Sequence, residues 1–203
     1  QERYEPALKA LATATGPIPD GAQSHLYLAL TLRKLERPEK AERTFYRAVQ
    51  LAPDDAEILR EYGEHLLSLN RLKDAETYLR RAVEMDPYDY GAHTRLAEVL
   101  IEQVKREDPE VDQRDTIEDA MDHLNRSFSL EVRYGKTWFH WGELFLMFRE
   151  WEECERALRA SIEEGYEDPR AYALLSAALS HLGRDAEAEE AFSQYKKTVH
   201  NPE

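Results

Sequence analysis

Cysteine is nearly missing from this chain, with Cys154 the only one. A lone thiol excludes an intrachain disulfide, so the fold does not rest on an oxidising compartment. That favours the cytoplasm slightly and leaves the periplasm and secretion open. No apolar run approaches the roughly 18 residues of a membrane span, so no direct membrane insertion is expected. No basic segment leads into an apolar stretch at the start, as a secretory signal would. Gln1 is not an initiator Met, which implies that residues upstream were removed or never included. Positive charge is scarce: 27 Lys and Arg stand against 41 Asp and Glu, a net charge of −14. Such a surface repels phosphate backbones and anionic lipid, which excludes general nucleic-acid binding. Phosphate-cradling GxxxxGK[ST] and GxGxxG loops are absent, as is the zinc spacing HExxH. No cofactor and no metal are expected.

What is present is self-similarity, the first signal of a repeat architecture. The segment Ala41-Glu42-Arg43-Thr44-Phe45-Tyr46-Arg47-Ala48 is followed by Pro53, and 34 residues later Ala75-Glu76-Thr77-Tyr78-Leu79-Arg80-Arg81-Ala82 is followed by Pro87. The first small position recurs as Ala7, Ala41, Ala75, Ala120, Cys154 and Ala188. Four residues on stand Leu11, Phe45, Leu79, Leu124, Leu158 and Phe192. The steps are 34, 34, 45, 34 and 34, so one repeat carries 11 extra residues. The preceding helix of each repeat has its own frame. Position 7 holds Leu28, Tyr62, Leu96, Trp141 and Leu175, and position 8 holds Ala29, Gly63, Ala97, Gly142 and Ser176. With position 11 these form the buried stripe of a helix. A small residue at position 8 lets the second helix approach closely.

The bulky-small pair, the Ala and Phe of the second helix and the closing Pro resemble the tetratricopeptide-repeat (TPR) signature. The match covers nearly the whole chain, in five full repeats and one half repeat. The resemblance implies an all-α fold: a right-handed α-solenoid of antiparallel helix pairs, the TPR superhelix. The full repeats read as 22–55, 56–89, 90–134, 135–168 and 169–202, with 1–21 matching only a second helix. A chain that opens mid-repeat is expected to be a piece of a longer array.

Pro38 suits the first turn of a helix. Glu39, Asp74, Glu118, Glu152 and Asp185 crowd the starts of second helices, where the helix dipole stabilises negative charge by about 0.3–1 kcal/mol. The extra residues fall at 104–114. Pro109 should stop the preceding helix, and Asp115 with Glu118 reads as a capping box that starts the next one. This segment reads as a surface loop.

The resemblance implies a ligand groove lined by the first helices, where TPR family members commonly bind extended peptides or helices. Helical spacing places positions 2, 5, 9 and 12 on one face, about 130° from the core stripe. That face predicts Leu26, Leu30 and Arg33 in the first full repeat, and Arg60, Glu64 and Leu67 in the second. It predicts Thr94, Glu98 and Ile101 in the third, then Lys136, Phe139, Glu143, Leu146 and neighbouring Met147, and Arg170 in the last. Glu64, Glu98 and Glu143 share position 9. On helices about 8–10 Å apart they would form a line of carboxylates suited to a basic segment. Local pairing competes with that reading, since Arg60 and Glu64 are one turn apart. Only three Asn occur, at 70, 125 and 201, none on this face. A clamp for a C-terminal carboxylate, built from Lys and Asn in some TPR domains, is therefore not expected.

Of the seven His, His140 and His181 border the groove, and His25 and His93 take packing positions. Cys154 stands where the other repeats have Ala, which makes it a packing residue. The expected function is a non-catalytic scaffold that binds a protein or peptide, with a recruiting arm of a larger enzyme as the rival. Partner identity and oligomeric state are left open by fold.

Overall fold

The 34-residue frame becomes a succession of helix pairs in a computed structural model that describes residues 21–106, 112–131 and 133–200, apart from the His200 side chain. Ten helices lie among the described residues, and no strand does. The first helices of the pairs are α1 (Ala22–Lys34), α3 (Ala56–Ser68), α5 (Tyr90–Lys105), α7 (Gly135–Phe148) and α9 (Pro169–His181). The second helices are α2 (Pro38–Leu51), α4 (Leu72–Met85), α6 (Gln113–Leu130), α8 (Trp151–Glu163) and α10 (Asp185–His200). The half repeat at 1–21 and the proline at 109 lie outside the described residues, Gly21 excepted.

The chain divides into two compact units, residues 1–106 and 107–203. In the N-terminal unit α1 pairs with α2 and α3 with α4, and α5 packs on α4 and α3. In the C-terminal unit α7 pairs with α8 and α9 with α10, while α6 packs on α7.

Each pair is held by small residues facing large ones. Ala29, Ala41, Phe45, Ala48, Leu66, Ala75, Leu79 and Ala82 are buried in the N-terminal unit. Cys154, Leu158, Ala171, Leu175, Ala178, Leu179, Ala188 and Ala191 do the same in the C-terminal one. A fully buried Leu contributes about 1.5–3 kcal/mol, so these stripes dominate the stability of each pair. Two glycines mark the closest approaches. A Cβ at Gly63 would lie 2.6 Å from Leu79 Cγ, and one at Gly142 would lie 2.7 Å from Leu158. Helix–helix distance in these pairs is therefore set by the missing side chain.

The turns that join α1 to α2, α3 to α4, α7 to α8 and α9 to α10 are Schellman closures. The amides of Arg37, Arg71, Glu150 and Arg184 donate to the carbonyls of Leu32, Leu66, Phe145 and Leu179 at 2.9–3.0 Å. The residue before each donor is left-handed: Glu36 (φ 55°), Asn70 (65°), Arg149 (60°) and Gly183 (72°). These four share one register of the repeat.

The structure corrects the limits of that insertion. Helix α5 runs through Lys105, and α6 begins at Gln113. The cap of α6 is Asp112, whose carboxylate accepts from the amides of Arg114 and Asp115. Asp115 lies in the first turn, so the Asp115–Glu118 capping box does not form. Two free amides within reach of one carboxylate decide the start, three residues earlier than the acidic spacing suggests. Pro38 takes the first turn of α2 as expected.

Candidate protein-interaction faces

The first helices of the N-terminal unit are cross-linked by charge. Arg33 of α1 donates to Glu61 of α3 at 3.0 Å. Arg60 of α3 donates to Asp89, the cap of α5, at 2.6 Å and to Glu61 at 3.1 Å. Arg95 of α5 donates to Glu64 of α3 at 2.6 Å and to Glu98 at 3.1 Å. The three guanidiniums are thus shared among four half-buried carboxylates. Burial opposes the charge on Arg60, yet Asp89 and then Glu61 raise its pKa above the ordinary value.

This arrangement changes the expected acidic line. Glu64 and Glu98 are bridged by Arg95, and Glu64 does not pair with Arg60. Glu143 is buried on α7, where His140 Nδ1 lies 2.8 Å from its Oε2. None of the three carboxylates is fully exposed.

Six of the predicted groove residues are buried: Leu26, Thr94, Ile101, Lys136, Phe139 and Glu143. Phe139 sits in the core cluster of the C-terminal unit, with Tyr166 at 5.2 Å and the Arg170 guanidinium 5.1 Å above its ring. The reason for most of these is angular. At about 100° per residue, positions 5 and 12 fall only about 40–60° from position 8, on the flank of the core stripe. Leu30, Arg33, Arg60, Glu64, Leu67, Glu98 and Leu146 are half-buried, while Met147 and Arg170 are exposed. Arg170 is also hydrogen-bonded to Asp168, the cap of α9, at 2.7 Å. Burial opposes ionisation of Asp168, but these bonds from Arg170 hold its carboxyl below the usual range.

Position 6 was the missed register. It holds Tyr27, Glu61 and Arg95 in the N-terminal unit, and Tyr27 is 56% exposed. The same helical arithmetic carries the signal, because position 6 lies about 40° beyond position 2 and about 160° from position 8.

Groups with chemical potential are packed away. Cys154 is fully buried, its thiol donates to the Gly142 carbonyl at 3.3 Å, and burial pushes its pKa up to about 12. His181 stacks on Trp151 with centroids 4.0 Å apart. Among the described residues no cluster of His, Cys, Asp and Glu is arranged to hold a metal ion. Among them, too, no helix is long and apolar enough to cross a membrane.

Helix pairs closed by Schellman turns at one register and locked by a small residue against a large one are a TPR arrangement. The tetratricopeptide repeat family model matches residues 1–56, 28–90 and 141–199. The chain belongs to the tetratricopeptide repeat family. Among solved structures it is similar to TTC0263, a thermophilic TPR protein of Thermus thermophilus. The identity is 24% over 89% of this chain and 91% of that one, with a TM-score of 0.74. It is similar to PilW, a widely conserved type IV pilus biogenesis factor, at 19% identity over 99% of this chain and 87% of that one, TM-score 0.77. It also resembles a chain of the APC/C hetero-tetramer Cut9–Hcn1, at 14% identity over 99% of this chain and 38% of that one, TM-score 0.81. At these identities the likeness is one of fold. No curated protein matches the sequence. TPR proteins are generally non-catalytic modules that bind protein partners, and this chain shares their scaffold architecture.

Proposed function

We propose that the first-helix face of the N-terminal unit binds a basic segment of a partner protein. The observation that carries this reading is the charge imbalance on that face. Glu61, Glu64, Asp89 and Glu98 outnumber Arg33, Arg60 and Arg95, and exposed Glu57 adds to the excess. A guanidinium shared between two carboxylates leaves acceptor capacity for a third cation, such as an incoming Lys or Arg. Exposed Tyr27 supplies an aromatic surface beside the charges, the kind of residue that anchors interfaces. Preformed helices spare the partner the cost of ordering its receptor, so a short segment gains affinity from few contacts. The net charge of −14 steers cations toward the chain and speeds their encounter.

Fluorescence polarisation of labelled basic, acidic and apolar ten-residue peptides against the full chain tests this. The basic peptides are expected to bind at about 50 mM salt and to weaken severalfold at about 300 mM, as screened charges do. Glu98→Arg is expected to weaken them further, by about tenfold. Basic-peptide affinity that does not change in Glu98→Arg would sink the reading.

A further inference from the structure

A second feature lies on the opposite helices. In the N-terminal unit the furrow between α2 and α4, floored by α3, carries three tyrosines. Tyr62 of α3 is 4% exposed, and its ring meets Tyr78 of α4 at 4.6 Å. Tyr46 of α2 is 50% exposed, and after burial it is the next cause that raises the Tyr78 phenol pKa.

The register-equivalent positions in the C-terminal unit are Arg159 on α8, Leu175 on α9 and Ala191 on α10. None supplies a ring. One repeat earlier the floor position is Trp141, which does. The furrow between α8 and α10 therefore holds a cleft of about 180 Å³. Leu175, Leu179, Ala191 and one ring, Tyr172, line it, together with Arg159, Glu187, Glu190 and Gln194. Arg159 does not swing in to fill the space, because Glu155 at 2.9 Å and Glu187 at 3.0 Å hold its guanidinium.

Size and charge define the guest. An apolar cavity of about 150 Å³ accepts one benzene ring, while drug-sized ligands need about 300–1,000 Å³. One aromatic side chain fits this cleft, as Tyr78 fits its counterpart. Glu187 is already bonded by Arg159 and Arg184, so exposed Glu190 is the rim carboxylate that can accept a phenol O–H. Glu155, Glu187 and Glu190 stand against Arg159 and Arg184, and the negative excess favours Lys or Arg beside the ring and disfavours a phosphate on it.

We propose that the α8–α9–α10 cleft is a docking site for a single tyrosine side chain of a partner protein, carried in a segment with basic neighbours. The site is separate from the first-helix face and does not rest on the function proposed for it.

The test is an NMR titration of the isotope-labelled full chain with the capped tripeptide Lys-Tyr-Lys, with Lys-Ala-Lys as control. Shifts are expected to cluster at the amides of Leu175, Leu179 and Ala191 with the tyrosine peptide alone. Ala191→Tyr, which copies Tyr78, should weaken binding at least about tenfold. Glu190→Lys, an exposed rim change that leaves packing alone, should do so by severalfold and keeps the test open if Ala191→Tyr does not fold. Glu98→Arg should leave this binding unchanged. Equal shifts from Lys-Ala-Lys would overturn the proposal, as would undiminished binding in Glu190→Lys. Cleft shifts that grow with protein concentration before any peptide is added would assign the site to a second copy and overturn it too.

Discussion

His65 shows how one side chain couples packing to pH. It is 1% exposed, and its ring meets Phe45 at 5.0 Å. Burial, then the charge of Arg33, lowers its pKa below the ordinary value of 6.5. The unfolded chain takes up a proton below about pH 6.5 that the folded chain refuses. Unfolding therefore binds protons in that range, and stability falls as pH drops from the unfolded pKa through the folded one. Thermal melts should move down between about pH 7.5 and pH 5.5, and His65→Leu should flatten that slope. An unchanged slope in His65→Leu would assign the effect to other groups. Gly142 and Cys154 act by size alone: one lacks the atom that would meet Leu158, the other fills an alanine position.

Helix ends are specified by a few residues repeated in register. Asp55, Asp89 and Asp168 share one register and each cap a first helix through the side chain, while Asp112, outside that register, caps α6. Asp89 does two jobs, accepting from the Ala92 amide at 3.0 Å and from Arg60 at 2.6 Å. Asp89→Ala is expected to cost about 1–3 kcal/mol in urea unfolding, from a lost cap and a half-buried guanidinium left short of an acceptor. Asp89→Asn keeps the cap and should cost less. Equal losses in the two variants would mean that the cap contributes nothing. The start of α6 was misplaced by three residues because acidic residues are abundant there. Only backbone geometry distinguishes the carboxylate that reaches two amides from its neighbours.

Across the whole molecule, acidic excess and internal pairing coexist. The chain carries −14, yet the first helices of the N-terminal unit are tied by shared guanidiniums. Pairing consumes part of the charge and the remainder sets the long-range field. Duplex DNA should therefore not be retained by the full chain in a gel-shift assay at about 100 mM salt. A retained complex would show that local basic patches override the net charge.

The repeat frame, the helix type and the small-against-large packing were legible in the sequence, because each depends on spacing along one chain. Ala41, Phe45 and Ala48 announce their helix face by period alone. The open face was legible only in outline. Positions 5 and 12 were assigned to it but lie beside the core stripe and are buried, as at Leu26 and Thr94. The sharing of Arg95 between Glu64 and Glu98 depends on distances between helices, which no periodicity encodes. The α8–α10 cleft is of the same kind. The sequence by itself determined that Ala191 stands where another repeat has Tyr78. Only the tertiary structure decided that no other side chain closes the space, because Arg159 is held away by two carboxylates.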